Sequence, residues 1–582
     1  MSAAPEPPSS RLTVLDWIER IGNRLPEPAL LFAILAALVI AASAAGSWFG
    51  WTVHPMQPRV TLVDKFDASG APIFNADGTP ARVPEYDARG RPVITLVPQL
   101  NADGTPLELR TKSLLTRDGV YWMLSSMIRN FTTLPALGLV FVAMLGIGVA
   151  EKFGLFSALM RFLALITPKS LLTPVVVFVG ANAAIASDAG YVILPPLAAA
   201  LYLAAGRSPI AGMAAAFAGV AGGFGGGFFP NAADGFLAGE ATRSAHIIDA
   251  AYATVTPLHN WYFKMGSALV VTLAGWLVTD LLVEPRLRRA RSEPHDASTT
   301  TNDQEVPPEP HGLSLTARER SGLILALLSM ACVVAVFVAM MMIEGAPLHG
   351  DGQPTLASGA AAPGERAGGR WSHVIVPLIF FAFMIPGVVY GFTQGLLRTQ
   401  RDFIEAIYHG IRSIVPVLTI AFFMGQFVNY FSYAGLDKML AFAGGSLLVQ
   451  ADLPTPMLIV LFVALVIAGD FAISGMLSKY GILAPIFIPM FMMVGISPEL
   501  TTAAYRIGDS VVNIVTPLNT YLLIILAVFQ KYRRGAGLGS LIALMLPYSV
   551  VFFVVWTSFL LLWWLTGFPL GPNAPLTYVP PH

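Results

Sequence analysis

Several charged residues stand in stretches of sequence that are otherwise apolar. Asp188 lies in the almost uncharged stretch Asn182–Gly190, which has long apolar flanks on both sides. A carboxylate at the centre of a bilayer costs about 2.5–3.5 kcal/mol on insertion scales, so its presence indicates a cation partner, a bound proton or a water-filled cavity. The structural alternative is an aspartate that caps a helix. We expect Asp188 to bind a substrate or a cation.

Arg506 and Asp509 are three residues apart and share one face if the segment is helical. They could neutralise each other. An arginine fork can also bind a carboxylate in two places and is always charged, so Arg506 is a candidate for binding an anionic substrate. Asp509 would then orient Arg506 or carry a coupling proton.

Asp470 and Lys479 bracket a third such segment, Phe471–Ser478. Asp470 is a candidate for coupling to an ion, whereas Lys479 could simply reach towards a membrane interface. Neighbouring hydroxyl and amide side chains could bind a substrate or Na+, and we expect Ser478, Asn513 and Asn519 to do so. Each alone is more often a structural hydrogen-bonding group in a helix bundle, but together they predict a polar pocket.

The composition is that of a membrane protein. Of 582 residues, 55% are hydrophobic and 12% are charged, and the mean hydropathy is +0.66. Several apolar runs reach the ~20 residues needed to cross a bilayer. The formal net charge is zero, which gives no indication of nucleic-acid binding.

The polar segments divide the chain. Arg11, Arg20 and Arg24 precede the first apolar run, so we expect a cytoplasmic N-terminus in a bacterial inner membrane. The predicted segments are an N-terminal segment 1–26, a first membrane half 27–283 with an extramembrane, strand-containing loop 51–117 and a hairpin around 171–205, a polar basic loop 284–320, a second membrane half 321–566 with a hairpin around 456–495, and a tail 567–582.

An internal repeat relates the two halves. Tyr191–Pro196 matches Tyr480–Pro485 at an offset of 289 residues. The same offset aligns Gly206, Ser208 and Pro209 with Gly495, Ser497 and Pro498. A second block, at offset 260, aligns His246–Tyr262 with Arg506–Leu522 and Pro257 with Pro517, so the first copy has about 29 extra residues, most simply around Gly222–Gly239. Chance matches between apolar segments explain two ordered, proline-bearing blocks poorly. Such repeats, broken by Gly and Pro, are typical of secondary transporters, and we expect helix breaks at the four prolines.

Other classes of function have weaker support. A membrane-embedded enzyme would need a metal site or a nucleophile with a base, and His246 with Asp249 is the nearest pattern. A channel would need a continuous pore. We therefore predict no catalytic residues, no metal and no cofactor other than a coupling ion, either H+ or Na+.

The motifs closely resemble the AbgT transporter family over nearly the whole chain. The resemblance rests on Ala503–Ser510 followed by Asn513–Leu518, on Ala484–Met490 and on Ser187–Leu197. It implies an all-α membrane protein with about nine transmembrane helices, two re-entrant helical hairpins and an inverted repeat. It also implies a homodimer that imports p-aminobenzoyl-glutamate or exports sulfonamide-type antimetabolites.

The same resemblance assigns functional positions. The residues that it places at functional positions of the family are Asp188, Arg506, Asp509, Pro498 and Pro517. Two positions depart from the family pattern, since Leu477 and Tyr480 stand where the resemblance implies serine and tryptophan. Ser478 could replace the hydroxyl and Tyr480 could still stack on an aromatic substrate.

Overall fold

The protein is built almost entirely of helices. The computed structural model describes residues 27–65, 71–74, 80–85, 93–101, 103–186, 189–292, 315–352, 368–471, 473, 475–519, 521–533 and 536–580. Within these ranges the strands are short and confined to two polar segments, so the predicted all-α fold is confirmed.

The helices follow one another with short connections. In chain order they are α1 (Pro28–Trp48), α2 (Arg117–Thr132), α3 (Pro135–Lys152), α4 (Leu155–Ile166), α5 (Leu172–Asn182), α6 (Ala189–Ala204), α7 (Pro209–Phe217), α8 (Ala232–Ala245), α9 (Trp261–Leu277), α10 (Glu284–Ser292), α11 (Ala317–Met342), α12 (Ile375–Gln394), α13 (Gln400–Tyr433), α14 (Leu436–Ala451), α15 (Thr455–Asp470), α16 (Met476–Met492), α17 (Pro498–Val512), α18 (Tyr521–Tyr532) and α19 (Leu538–Thr566). Short 3₁₀ turns cover Lys169–Leu171, Ala183–Ala186 and Arg370–Val374, and π-helical segments cover Ala218–Gly222 and Val278–Val283.

The strands form small antiparallel ribbons. They are β1 (Thr52–Val53), β2 (Met56–Val60), β3 (Leu62–Asp64), β4 (Arg82–Pro84), β5 (Ile94–Pro98), β6 (Leu109–Arg110), β7 (Asp351–Gly352) and β8 (Gly368–Gly369). β1 pairs with β6, β2 with β5, β3 with β4 and β7 with β8. The first three pairs nest inside one another, because the chain runs out from α1 along one side of the ribbon and back to α2 along the other.

Several helices suit a bilayer better than water. In the described ranges, seven helical segments are long and apolar enough to span a membrane. Only 11% of an apolar stretch of 18 residues in α11 is buried, and Leu328 on this helix is 61% exposed. Large apolar side chains exposed along a whole helix are stable only in contact with lipid or with another protein. The protein is therefore a multi-pass membrane protein.

The repeat seen in the sequence is also a repeat of structure. Hairpin 1 consists of α5 and α6, and hairpin 2 consists of α15 and α16. Each ends in a turn with a left-handed glycine, Gly206 at φ 76° and Gly495 at φ 79°. The next helix then begins with proline at its first turn, at Pro209 and Pro498. Glycine adopts this conformation without the steric cost that a Cβ imposes, which explains why the repeat retains it.

The second repeat block forms the same helix break twice. In the first copy the amide of His259 donates to the carbonyl of Thr256 over 3.0 Å, and in the second the amide of Asn519 donates to Thr516 over 3.2 Å. Pro257 and Pro517 therefore lie in breaks, as predicted, rather than inside helices. The extra residues of the first copy form a turn and α8, which overlap the predicted Gly222–Gly239 region only in part.

An ion cluster holds the base of hairpin 1. Nη2 of Arg207 lies 2.5 Å from Oδ1 of Asp280 and 2.6 Å from Oε2 of Glu284, while Nη1 donates to Oγ1 of Thr173 over 2.8 Å. The guanidinium also sits 4.4 Å from the ring centre of Tyr202. These contacts fasten the turn after α6 to both α5 and the segment after α9.

This cluster explains a difference from the predicted segment boundaries. The polar loop was predicted to begin at Glu284, but the helical chain continues from Val278–Val283 through Ser292. Glu284 binds Arg207 and also accepts from Arg288 one turn along, over 3.0 Å. Its charge is therefore used inside the helical region instead of marking the end of a helix.

The base of hairpin 2 is held by the C-terminal tail, residues 567–580. The amide of Tyr578 donates to the carbonyl of Gly495 over 2.9 Å. The hydroxyl of Ser497 donates to the carbonyl of Pro575 over 2.7 Å. Tyr578 is buried. The tail is thus a packed part of the second copy.

Candidate functional site

A cavity of about 340 Å³ lies between the tips of the two hairpins. Ala184 and Ile185 of the hairpin 1 tip line it, as do Gly475, Leu477 and Ser478 of the hairpin 2 tip. The volume is within the range of small-molecule sites. The position agrees with the expectation that a repeat of broken helices encloses its binding site between the copies.

Further walls come from other parts of the chain. The first turn of α8 contributes Asn231–Ala233, and the break after α17 contributes polar groups that include Asn513, Thr516 and Asn519. The apolar walls are Val140, Met144 and Ile147 of α3 and Ile414, Val417 and Ile420 of α13. One side of the cavity can therefore bind an apolar body, and the other can bind polar groups.

Two aromatic rings, one from each copy, stack at the cavity. The rings of Tyr191 and Tyr521 have centres 4.2 Å apart and planes within 11° of parallel. Phe224 also lines the cavity. A planar aromatic ligand would find stacking or edge contacts here, each worth about 0.5–1.5 kcal/mol beyond the area it buries.

Two helix N-termini border the cavity. The N-cap of α16 is Gly475, which has no side chain to occupy the amides of the first turn. The N-cap of α8 is Asn231, which forms a reciprocal capping box with Asp234. Helix N-termini carry partial positive charge, so both ends favour an anion in the cavity. Among the described residues no side chain caps the first turn of α16, so its amides can donate hydrogen bonds to an anion.

The glycine-rich turn between α7 and α8 brings the two copies into contact. The amide of Gly225 donates to Oγ of Ser510 over 2.7 Å. A Cβ on Gly225 would lie 2.6 Å from that oxygen, which is closer than atoms pack. Glycine therefore allows the close approach of the two copies at this point.

Behind the first turn of α8 lies a cationic triad, Asp234, Lys264 and Arg506. Oδ2 of Asp234 lies 2.6 Å from Nζ of Lys264, and its Oδ1 lies 2.6 Å from Nη2 of Arg506. Nε of Arg506 also donates to Asn260 over 3.1 Å. All three charged side chains are at most 2% exposed. Two cations share one carboxylate, so the triad has a formal charge of +1.

Asp509 of α17 belongs to a second, anionic triad, which consists of Asp470, Lys479 and Asp509. Nζ of Lys479 contacts Oδ1 of Asp470 and lies 2.9 Å from Oδ1 of Asp509. Arg506 and Asp509 therefore have different partners, although they are three residues apart on one helix. The idea that they neutralise each other, or that Asp509 orients Arg506, does not match this geometry.

The predicted site residues divide into two groups. Ser478, Asn513, Asn519 and Asp470 line the cavity. Arg506, Asp509 and Tyr480 are buried in the packing behind it, with the Tyr480 hydroxyl 2.6 Å from Oγ1 of Thr502. Asp188 lies outside the described residues.

Sequence reasoning missed four residues of this region. Asp234 and Lys264 complete the cationic triad, and Tyr191 and Tyr521 form the aromatic stack. A signal existed for Lys264, because it is the single charged residue in the apolar α9. Tyr191 lies in the first repeat block and Tyr521 in the second, and they are not equivalent to each other. Only the fold shows that their rings are in contact.

Paired hairpins that enclose a cavity between broken helices define this protein as a membrane transporter rather than an enzyme. Comparison with known families makes the class specific. Residues 13–79 and 90–578 match the AbgT transporter family, to which this chain belongs.

Similar proteins are known from sequence and from structure. The chain is 30% identical to the p-aminobenzoyl-glutamate transport protein of Escherichia coli (strain K12), over 98% of this chain and 99% of that protein. The YdaH transporter of Alcanivorax borkumensis, described as having an unusual topology, is 32% identical, with a TM-score of 0.75 over 94% of this chain and 100% of that one. MtrF of Neisseria gonorrhoeae, from a class of antimetabolite efflux pumps, is 34% identical, with a TM-score of 0.77 over 97% of this chain and 100% of that one.

Proposed function

We propose that this protein is a secondary active transporter of p-aminobenzoyl-glutamate or related folate-pathway aromatic anions, driven by an ion gradient. The observation that carries the proposal is the cavity between the hairpin tips, which combines an aromatic stack, apolar walls and a helix N-terminus with a glycine N-cap. The Escherichia coli relative bears the name of this substrate.

The cavity has groups that match both ends of such a substrate. The aromatic ring would stack beside Tyr191 and Tyr521, and a carboxylate would accept hydrogen bonds from the first turn of α16 and from Ser478. The cationic triad adds a charge of +1 behind the first turn of α8. In this conformation Arg506 acts through that field rather than by direct contact.

A second candidate is export of sulfonamide-type antimetabolites. The match to MtrF favours it. A sulfonamide drug also has an aromatic amine at one end and an ionisable group at the other, so the same cavity suits either direction of transport. The direction depends on the coupling ion and on which state of the protein binds substrate.

Ion coupling and assembly complete the proposal. Asp188, Asp470 and Asp509 are the carboxylates that we assign to coupling with H+ or Na+, and alternating access would turn about the breaks at Pro209, Pro257, Pro498 and Pro517. We further propose a homodimer in a bacterial inner membrane with a cytoplasmic N-terminus.

Uptake of labelled p-aminobenzoyl-glutamate into proteoliposomes tests this function. We expect uptake under an imposed H+ or Na+ gradient, and no accumulation without a gradient. Arg506→Ala should abolish it, because Asp234 and Lys264 alone leave no net positive charge behind the cavity. Export should be assayed in parallel with a labelled sulfonamide.

Ser478→Ala is the milder variant. Loss of a hydrogen bond to a charged group is worth about 1.5–3 kcal/mol, so KM for uptake should rise roughly tenfold or more. Ser446→Ala is the matched control, because Ser446 is half-buried on α14, does not line the cavity and donates to Ala443 of its own helix. Absence of both uptake and export under every gradient, with protein that is folded, would refute the proposed function.

A further inference from the structure

The anionic triad already contains a cation that belongs to the protein. Three helices each contribute one charge: Asp470 ends α15, Lys479 lies in the first turn of α16, and Asp509 lies in α17. The three side chains are at most 1% exposed. The ammonium of Lys479 contacts one oxygen of each carboxylate.

The triad also has an excess of negative charge and of oxygen atoms. Two carboxylates and one ammonium give a formal charge of −1. Oδ2 of Asp470 is buried and has no hydrogen-bond partner among the described residues. Oδ2 of Asp509 accepts from Asn513 over 3.1 Å, and the hydroxyl of Tyr505 lies 3.5 Å from Oδ1. Because Asp470 and Asn513 also line the cavity, the cluster adjoins the proposed substrate site.

Such a cluster is suited to a small monovalent cation. Carboxylate, amide and hydroxyl oxygens are the ligands that hard cations take in proteins. Two buried carboxylates side by side are costly unless a cation stands between them. In this chain the position between Asp470 and Asp509 is filled by Nζ of Lys479, a compact point charge on a flexible stem.

We propose that Lys479 is a tethered substitute for Na+, so that this transporter binds no Na+ between Asp470 and Asp509 and does not need Na+ for its cycle. The proposal rests on the proposed function, because it selects between the two coupling ions named there. A Na+ ion in this position would have to displace the ammonium from both carboxylates. Removal of the lysine, by contrast, leaves two carboxylates that a Na+ ion can bridge.

Thermal unfolding of the purified protein tests this without any transport. The Tm should be the same in NaCl and in choline chloride at equal ionic strength. Lys479→Met should have a lower Tm in choline, because two buried carboxylates then face each other, and its Tm should rise and saturate as Na+ replaces choline. Binding to the folded state alone produces such a rise.

Lys264→Met is the matched control. It removes the lysine of the cationic triad, but Arg506 still pairs with Asp234, so its Tm should not depend specifically on Na+. A Na+-specific stabilisation of the unaltered protein, or no Na+ response in folded Lys479→Met, would overturn the inference. If Lys479→Met does not fold, the unaltered protein decides the question by its Tm and by uptake with choline in place of Na+.

Transport assays separate the two proposals. Substrate uptake that is unchanged in choline supports the tethered cation, and uptake that requires Na+ overturns it. If no substrate is moved under any gradient while the two Tm patterns are as expected, the proposed function fails and the role of Lys479 stands.

Discussion

The two repeat copies turn the chain in the same way at the base of each hairpin, but they hold that turn by different means. Gly206 and Gly495 have nearly the same left-handed φ, and proline begins the next helix in both. Hairpin 1 is then fixed by the side-chain charges around Arg207, whereas hairpin 2 is fixed by backbone pairing with residues 567–580.

This difference separates what the repeat specifies from what it leaves open. The turn depends on local residues, so it repeats wherever the residues repeat. The anchor depends on which distant segment passes nearby, and that segment is α10 in one copy and the tail in the other. Arg207 corresponds to Ile496 at the repeat offset, so a charge in one copy is an apolar residue in the other.

The largest effect is expected when the ion cluster that anchors hairpin 1 is removed and the anchor of hairpin 2 is left unchanged. Arg207→Met leaves Asp280 without its cation and Glu284 paired with Arg288 alone, and we expect a loss of about 2–3 kcal/mol, the scale of lost hydrogen bonds to charged groups. It should appear as a lower Tm in detergent. Ile496→Met at the equivalent position conserves volume and should cost less than about 1.5 kcal/mol. Equal losses in the two variants would mean that the ion cluster does not anchor hairpin 1.

The shared turn should respond equally in both copies. Gly206→Ala and Gly495→Ala each force a Cβ into a left-handed conformation, which costs about 1–2 kcal/mol per residue. The Tm of the two variants should fall by similar amounts. A much larger fall for Gly495→Ala would show that the tail, rather than the local conformation, dominates that turn.

The smallest expected change in Tm concerns Ser208 and Ser497, the N-cap residues of α7 and α17. The Ser497 hydroxyl accepts from the amide of Leu500 over 3.0 Å and donates to the carbonyl of Pro575, so Ser497→Ala loses both bonds and should cost about 1–2 kcal/mol. Ser208 makes no such side-chain bond, and Ser208→Ala should leave the Tm nearly unchanged. The comparison fails if the Ser208 variant is the less stable of the two.

The fold could be predicted best from the sequence where proline and glycine break the helices. Proline and glycine act on the backbone locally, which is why the hairpins, the helix breaks and the polar cavity residues Ser478, Asn513 and Asn519 could be predicted. The extent of the helical chain after α9 could not, because Glu284 is kept in a helix by an arginine 77 residues away.

Ion pairing was the least predictable part of the site. Arg506 and Asp234 are 272 residues apart, and no local pattern connects them. Arg506 and Asp509 are near in sequence, which suggested a common role, but the structure pairs Arg506 with Asp234 and Asp509 with Lys479. The partner of a buried charge is decided by the packing of helices, so a sequence shows that a partner is needed without showing which one.

The anchoring of hairpin 2 has a consequence for how the protein is made. Hairpin 1 has its whole ion cluster once the chain has been synthesised to Arg288, whereas the turn at Gly495 waits for Leu576 and Tyr578. The interval is about 290 residues, or roughly 15–60 s of translation at the usual rates. During that time the first copy can assemble alone in the membrane, and hairpin 2 stays unfastened until Leu576 and Tyr578 leave the ribosome.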